Sequence, residues 1–312
     1  MSTSSNLAIV FPGQGSQSIG MSDKLATVYP EVKTIFCQAS DVLGYDLWDK
    51  VTNGPESELN KTEITQPALL VAGFVTWTIW KERSSVIPSL LAGHSLGEYT
   101  ALLCANVMSF TDAVELVAER GKCMQKAVPA GVGAMAAILG LENNQVETVC
   151  NEAAGDEIVS AANFNSPGQV VIAGQKQAVE RAIELAKSTG AKRAILLPVS
   201  VPSHCMLMKS AADEFANVLN KIEFNDATIP VVQNVDAQAK TNAKEIRSCL
   251  LEQLYKPVRW VDVIKSMQQQ HIQKIIECGP GKVLAGLIKR IDRSIDVHCV
   301  QDDDSLLKAL GN

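Results

Sequence analysis

The sequence predicts an α/β protein in which helices cover a parallel sheet and a smaller unit is inserted between its two halves. Continuous apolar runs typical of buried parallel strands end in glycine-containing turns, first after Leu7–Phe11 and again at Gly93. Amphipathic helical patterns alternate with these runs. Within residues 130–199 the order changes to strand, helix, strand, strand, helix, strand, which is typical of a ferredoxin-like unit.

The first predicted strand ends in the glycine-rich turn Pro12-Gly13-Gln14-Gly15-Ser16-Gln17. Ligands bind at the carboxyl ends of strands in open α/β sheets, so Gly13 and Gly15 could let the backbone around Gln14 approach a substrate oxygen. An ordinary tight turn is the alternative. A phosphate loop is poorly supported, because the G-K-[ST] ending is absent.

The second apolar run leads into Gly93-His94-Ser95-Leu96-Gly97, a G-x-S-x-G pattern followed at once by a helical pattern. A strand-to-helix reversal this tight strains the backbone at the serine and brings neighbouring backbone close, so small residues are needed on both sides. The next helix would also direct its free N–H groups at the group that the serine attacks. Ser95 is therefore the candidate nucleophile.

An arginine lies on the apolar face of the following helical pattern, in the stripe Ala113, Val117, Arg120 and Met124. A guanidinium there is costly unless an anion faces it, and its planar fork suits a carboxylate held by two hydrogen bonds. An internal ion pair, or a side chain that reaches the rim, is an equally good interpretation of the sequence alone.

The inserted unit has predicted strands at 133–139, 158–163, 169–173 and 193–197 and predicted helices at 144–154 and 176–188. We therefore predict an α/β core formed by residues 1–129 and 200–312 and a ferredoxin-like subdomain formed by residues 130–199. Ligands commonly bind at such junctions, so the cleft between the two domains is the expected site.

The chain re-enters the core through Val201-Pro202-Ser203-His204. Ser203 is a plausible N-cap of an amphipathic helix, which would place His204 in the first turn of that helix. Of the other three histidines, His94 is next to the serine but its side chain should point away from the hydroxyl. His271 lies in a polar helix end and His298 in a late strand. His204 is therefore the best candidate for a base serving Ser95.

The last third of the chain again alternates strands and helices, as an α/β core requires. The predicted strands are 229–232, 272–276 and 297–300, and the predicted helices include 242–254 and 283–291.

Composition excludes several classes of protein. With 46% apolar and 20% charged residues the chain is globular, and its 312 residues suffice for two domains or one domain with an insertion. A net charge of −6 gives no general attraction to nucleic acid or anionic lipid. The sequence contains no uninterrupted tract of about eighteen apolar residues, which argues against a membrane-spanning helix.

The eight cysteines lie far apart, with no C-x-x-C pair and no histidines at metal-binding spacing. They are expected to be reduced, and no metal or other cofactor is expected. The polar N-terminal segment Met-Ser-Thr-Ser-Ser-Asn lacks the basic and apolar regions of a signal peptide. These features fit an enzyme of the cytoplasm best.

Taken together, the motifs resemble those of the malonyl-CoA:acyl-carrier-protein transacylases of fatty-acid synthesis. The order and spacing of the marks are specific, and they extend over nearly the whole chain. These marks are Phe11-Pro12-Gly13-Gln14-Gly15-Ser16-Gln17, Gly93-His94-Ser95-Leu96-Gly97-Glu98-Tyr99, Arg120, Val201-Pro202-Ser203-His204 and Gly279-Pro280-Gly281-Lys282.

The resemblance implies a hydrolase-like α/β core with a ferredoxin-like insertion and a ping-pong transfer of malonyl from malonyl-CoA to the phosphopantetheine thiol of acyl carrier protein. It implies that Ser95 and His204 are the catalytic pair and that the backbone N–H groups of Gln14 and Leu96 form the oxyanion hole. Arg120 would bind the malonyl carboxylate. In place of a triad acid, a backbone carbonyl near Gln253 would orient the histidine.

An acidic carrier would need local positive charge on this acidic protein. Lys192 and Arg193 near the junction, and Lys289, Arg290 and Arg293 on a late helix, are candidates, although a solvated charged face is the better explanation of any one of them taken singly. Two other functions stay open on the sequence alone, a serine thioesterase or esterase and a non-catalytic scaffold that binds the carrier.

Overall fold

Two separate β-sheets organise the chain in the computed structural model, which describes residues 5–129, 131–199 and 201–311. Residues 130 and 200, where the predicted domain boundaries fall, lie outside the described residues, as do the first four residues of the N-terminal segment assessed for a signal peptide.

The first stretch of the chain contributes two strands of the larger sheet and most of the helices on one of its faces. Its elements are β1 (Leu7–Phe11), α1 (Asp23–Val28), α2 (Glu31–Leu43), α3 (Leu47–Thr52), α4 (Glu56–Leu59), α5 (Thr62–Arg83), β2 (Leu90–Gly93), α6 (Leu96–Cys104) and α7 (Phe110–Ala127).

The middle of the chain forms the smaller sheet and two helices. Its elements are β3 (Gly133–Leu139), α8 (Asn143–Ala154), β4 (Val159–Ser166), β5 (Gln169–Gln175), α9 (Lys176–Ser188) and β6 (Arg193–Leu196). The predicted βαββαβ order is confirmed, and β3 and α9 match their predicted bounds to the residue.

The last stretch completes the larger sheet. Its elements are a 3₁₀ turn (Met206–Met208), α10 (Lys209–Leu219), β7 (Val231–Val232), β8 (Ala239–Lys240), α11 (Ala243–Gln253), α12 (Trp260–Gln269), β9 (Lys274–Cys278), α13 (Val283–Ile291), β10 (Asp296–Val300) and α14 (Asp303–Leu310).

The larger sheet has the strand order β10-β9-β1-β2-β7-β8, with parallel pairs from β10 to β7 and an antiparallel β8. Side chains of β1 alternate between two apolar clusters: Ile9 and Phe11 pack beneath α5, α6 and α7, whereas Val10 packs beneath α12 and α13. Because helices cover both faces, β1 is apolar along its whole length. Phe11 pairs with Gly93, so the predicted loop and the predicted elbow lie side by side.

The smaller sheet is fully antiparallel and has the order β4-β5-β3-β6. One face packs against α8 and α9 through residues such as Ile138 and Ile172. The opposite face packs through Met135 and Ala173 against Cys205, which follows His204. This sheet therefore forms one wall of the region that holds the predicted base.

Backbone hydrogen bonds join the smaller sheet to the segment that precedes α12. Phe164 N–H of β4 donates to the Val258 carbonyl, and Val258 N–H donates to the Ala162 carbonyl, both at 2.9 Å. A side-chain contact from Arg290 of α13 to Gln169 at the start of β5 adds a second link. Within the described ranges, no helix combines the length and the hydropathy needed to cross a bilayer.

Candidate active site

The turn between β2 and α6 has the geometry of a nucleophile elbow. Ser95 has φ 52° and ψ −108°, a strained conformation for a non-glycine residue, and α6 begins at Leu96. A Cβ on Gly93 would lie 1.8 Å from the Gly97 carbonyl carbon, and one on Gly97 would lie 2.0 Å from the Phe11 carbonyl oxygen. The two glycines are therefore needed for the approach of α6 to the ends of β2 and β1.

The predicted nucleophile and base are in direct contact. Ser95 Oγ lies 2.8 Å from His204 Nε2, and His204 Nδ1 lies 2.7 Å from the Gln253 carbonyl oxygen. A carbonyl oxygen only accepts, so Nδ1 carries the proton and Nε2 presents its lone pair to the serine. Burial lowers the pKa of His204 to about 3, with a further contribution from the Arg120 charge, which keeps the imidazole neutral at pH 7.

The prediction that His204 lies in the first turn of a helix capped by Ser203 is wrong. The helical segment starts with the 3₁₀ turn at Met206–Met208. His204 has φ 63°, and its N–H donates to the Leu254 carbonyl at 3.0 Å. This hydrogen bond to a residue fifty positions away overrides the local capping signal and turns the imidazole toward the elbow.

Arg120 lies on the buried face of α7, as its stripe predicts, and is 1% exposed. Its Nη1 donates to Gln66 Oε1 at 2.9 Å, and its Nη2 donates to Gln253 Oε1 at 3.0 Å and to Ser95 Oγ at 3.3 Å. No carboxylate of the described residues forms an ion pair with it, and its burial excludes a side chain that reaches the rim. The guanidinium therefore lies beside the serine hydroxyl with only neutral hydrogen-bond partners.

Gln253 holds three parts of the site at once. Its backbone carbonyl accepts from His204, its Oε1 accepts from Arg120, and its Nε2 donates to the Ser95 carbonyl at 3.1 Å. Gln253 ends α11 and is fully buried. The structure thus brings this predicted orienting residue together with the base.

Gln14 and Leu96, whose backbone N–H groups are the predicted oxyanion donors, both line the cleft. Neither N–H donates a hydrogen bond to any described residue. The loop after β1 lies against the elbow so tightly that a Cβ on Gly13 would be 2.3 Å from the His94 carbonyl oxygen. Two free donors therefore lie on adjoining backbone segments beside the serine.

The cleft has a volume of about 290 Å³ and has walls from both sheets. Ser95, His204 and Leu284 line it from the loops and helices around the larger sheet, and Asn163 and Gln169 line it from strands of the smaller one. In the portions of the chain that the structure describes, no group of three His, Cys, Asp or Glu side chains could hold a metal ion.

Sequence reasoning missed several polar residues at the site. Gln66 is a buried amide inside the apolar helix α5, the same kind of signal that identified Arg120. Asn165 Oδ1 lies 2.8 Å from His94 Nε2, so the imidazole beside the serine binds β4 of the smaller sheet. Asn234 accepts a hydrogen bond from the elbow. It follows a strand of only two residues, which is too short for a periodic pattern that would indicate a site residue there.

Comparisons with known proteins agree with this geometry. Residues 8–302 match the family model described as "Acyl transferase domain". The malonyl CoA-acyl carrier protein transacylase of Escherichia coli K12 is 53% identical over 303 residues, 97% of this chain and 98% of that protein. A crystal structure of an acyl carrier protein S-malonyltransferase from Vibrio cholerae superposes with a TM-score of 0.95 at 56% identity, covering 97% of this chain and 99% of that one.

A second solved structure is a type II PKS acyl-carrier protein in complex with its malonyl-transacylase. It superposes with a TM-score of 0.97 at 55% identity and covers 99% of this chain and all of that chain, 100%. The similarity therefore extends over the mixed α/β fold as a whole, including both sheets.

Proposed function

This chain belongs to the acyl transferase domain family, and from that membership we propose that it moves the malonyl group of malonyl-CoA to the phosphopantetheine thiol of acyl carrier protein, a step that supplies fatty-acid elongation. The observation that carries the proposal is Arg120, a buried guanidinium without a carboxylate partner among the described residues, 3.3 Å from the hydroxyl of a serine that contacts a neutral histidine.

In the first half of the reaction, His204 Nε2 takes the proton of Ser95 as Oγ attacks the thioester carbonyl carbon. The C–S bond breaks, and the same proton passes from Nε2 to the departing CoA sulfur. The Gln253 carbonyl stabilises the transient imidazolium by accepting from Nδ1, so the reaction needs no triad acid. The product is malonyl-Ser95.

The tetrahedral intermediate carries a negative oxygen between the two backbone segments that border Ser95. The N–H groups of Gln14 and Leu96 are the donors we propose for it, since both are free and the dipole of α6 adds to the second. Such donors act on charge that develops only in the transition state, so they accelerate the reaction without tightening substrate binding.

Arg120 selects the acyl group by binding the malonyl carboxylate through its two terminal nitrogens. These nitrogens now donate to Gln66, Gln253 and Ser95, and a carboxylate would offer stronger acceptors in the same place. An acetyl group would leave the charge without an anion.

In the second half, the carrier thiol gives its proton to His204 Nε2 and its sulfur attacks the malonyl carbonyl. The Ser95 ester bond then breaks and Oγ recovers the proton. Serine, histidine and backbone amides supply every step, so the proposal includes no cofactor and no metal.

We also propose the finer classification of the fold, a hydrolase-like core with a ferredoxin-like subdomain of residues 130–199. The strand–elbow–helix unit at Ser95 supports the first part. The antiparallel order β4-β5-β3-β6 with two helices on one face supports the second. A cytoplasmic location is proposed as well, supported by the free thiols of the eight cysteines.

Carrier docking is proposed at a basic rim formed by both units, which comprises Lys192, Arg193, Lys289, Arg290 and Arg293. All five are exposed, and no carboxylate of a described residue forms an ion pair with them. The stem of Lys192 covers Gly140, whose backbone neighbours Gly168, and the adjacent Gln169 accepts from Arg290. Because Gln169 also lines the cleft, its contact with Arg290 places that cation beside the cleft, and we propose that the other four extend the docking surface from there.

The proposal is tested by brief incubation with malonyl-CoA, followed by intact-mass and peptide analysis. A malonyl adduct on Ser95 is expected, and Ser95→Ala is the control that should carry none. Holo-carrier is then added, and transfer of the adduct to the carrier supports the transacylase. Release as free malonate would indicate a thioesterase, and the absence of an adduct would indicate a non-catalytic scaffold.

A further inference from the structure

Two buried polar residues beneath the elbow, Glu98 and Asn234, take no part in the proposed steps, and each has 0% exposure. We propose that Asn234, held in place by Glu98, is a positioning residue that fixes the backbone of Ser95 and thereby determines which amides face the oxyanion. The inference rests on the proposed function for its chemistry and on the contacts below for its geometry.

The side chain of Asn234 bridges two backbone groups of the elbow and does not line the cleft. Its Oδ1 accepts from Ser95 N–H at 2.7 Å, and its Nδ2 donates to the Gly93 carbonyl at 2.7 Å. A single amide therefore ties together the residues on both sides of His94. An amide is the side chain that supplies one acceptor and one donor in this arrangement.

These contacts bear on a strained residue. The φ of 52° and ψ of −108° at Ser95 cost on the order of 1–3 kcal/mol and persist only if the surroundings hold them. Asn234 Oδ1 holds the peptide group between His94 and Ser95 by accepting from the Ser95 N–H. Gln253 Nε2 and the N–H of Glu98 hold the peptide group after it, through the Ser95 carbonyl.

The consequence concerns the oxyanion hole. The Ser95 N–H is occupied by Asn234, so it is not available to a substrate oxygen. The Leu96 N–H belongs to the peptide group that the Ser95 carbonyl anchors, and it stays free. The network thus occupies one elbow amide and leaves the next one free, on a residue that lines the cleft.

Glu98 secures Asn234 from the other side. Its Oε2 accepts from the Asn234 backbone N–H at 2.7 Å, and the Asn234 carbonyl accepts from Arg259 N–H at 3.0 Å. The second carboxyl oxygen, Oε1, has no hydrogen-bond partner among the described residues. Burial raises the pKa of Glu98 to about 8, which favours the neutral acid at pH 7. The network needs the acceptor oxygen, and it does not need the charge.

The experiment compares Asn234→Ala with Gln233→Ala. Gln233 is the preceding buried amide, and its side chain donates only to the Val231 carbonyl of β7, the strand that ends just before it. Two rates are measured on each protein: acylation of Ser95 by malonyl-CoA in a single turnover, and phosphonylation of Ser95 by a fluorophosphonate, in which Oγ bonds to phosphorus, fluoride leaves and His204 takes the proton.

Asn234→Ala should slow both rates by about 30-fold or more, since a misplaced nucleophile and one lost oxyanion donor each cost about 100-fold in known cases. The KM for malonyl-CoA should change by less than about threefold, because substrate-binding groups are untouched. Gln233→Ala should keep both rates within about threefold. Glu98→Gln should also keep them, whereas Glu98→Ala should resemble Asn234→Ala.

The proposal is overturned if Asn234→Ala loses no more rate than Gln233→Ala, or if its loss lies wholly in KM. It is also overturned if Glu98→Gln is as slow as Glu98→Ala, which would mean that the charge is what matters. Should Asn234→Ala not fold, Asn234→Asp replaces it, with a loss of about tenfold expected because the donation to Gly93 disappears. Wild-type protein that reacts with fluorophosphonate but not malonyl-CoA would contradict the proposed function alone.

Discussion

Ser95 and His204 both have positive φ, 52° and 63°, although neither is a glycine. Strain at single residues persists where neighbouring groups over-determine the backbone. Here the N–H of His204 donates to Leu254, and both the N–H and the carbonyl of Ser95 are hydrogen-bonded. Ser95 Oγ and His204 Nε2 are consequently held 2.8 Å apart.

The first prediction concerns the pH dependence of acylation. Because burial lowers the pKa of His204 to about 3, the base stays unprotonated as the pH falls from 8 to about 5. We expect kcat/KM for malonyl-CoA acylation to be flat over this range, measured by quenched-flow mass analysis with circular dichroism as the control for folding. A loss of rate with a midpoint near 6.5, the ordinary histidine value, would contradict the neutral, buried base.

The second prediction concerns acyl selectivity. Arg120→Ala should lower kcat/KM for malonyl-CoA by about 100-fold or more, since a buried carboxylate would lose its charged partner, while acetyl-CoA transfer survives or rises. Arg247→Ala is the matched control, because Arg247 donates only to the backbone carbonyls of Leu219 and Ile222. Equal losses for both acyl groups in Arg120→Ala would make Arg120 structural.

At this scale the sequence identified residues that stand out from their surroundings. Ser95 lies in a short motif, and Arg120 interrupts an apolar stripe. Gln253 was implied only by the resemblance, since a backbone carbonyl that orients a histidine leaves no mark in the residue type. Asn234 has no signal either, because its contacts reach residues more than a hundred positions away.

At the scale of elements, the third prediction concerns the packing of α6 against β1. A Cβ on Gly97 would lie 2.0 Å from the Phe11 carbonyl oxygen and 2.9 Å from that of Pro12, and both are backbone atoms. Gly97→Ala should therefore cost about 1–3 kcal/mol of unfolding free energy and slow acylation, because the Leu96 and Gln14 amides move apart. Chemical denaturation and the single-turnover assay measure the two effects.

Gly286 in α13 supplies the matched control for this substitution. A Cβ there would meet nothing within 4 Å, and the residue lies inside a helix. Gly286→Ala should raise the unfolding free energy by up to about 1 kcal/mol and leave acylation unchanged. Equal stability of Gly97→Ala and wild type would show that the elbow tolerates a wider spacing than the structure has.

Elements with strong local patterns were predicted closely. Helices α9 and α13 have a clear apolar face, and their predicted bounds agree with the structure to the residue. The segment around His204 was mispredicted, because its conformation depends on the Leu254 carbonyl. Strand β7 has only two residues, so its short apolar run carried little information about its ends.

For the whole molecule, the order of elements implied two units but not how they meet. The junction depends on contacts such as the pairing of β4 with Val258 and the bond between His94 and Asn165, which join residues far apart in the chain. Ser95 and His204 therefore face a cleft whose opposite wall comes from the smaller sheet. Any carrier that delivers a thiol to Ser95 must approach both units.

The last prediction follows from that geometry and from the net charge of −6, which opposes an acidic partner except at the basic rim. Arg193→Glu and Arg293→Glu alter one cation on each unit and should each raise the KM for holo-carrier by about tenfold at low salt, with less effect at high salt. Acylation is measured with the malonyl thioester of N-acetylcysteamine, which lacks the phosphates of CoA, and it should not change. Lys221→Glu, an exposed cation beyond α10 that does not line the cleft, is the control. If all three variants raised the carrier KM equally, the weaker carrier binding would reflect the change in net charge, and the basic rim would not be the docking surface.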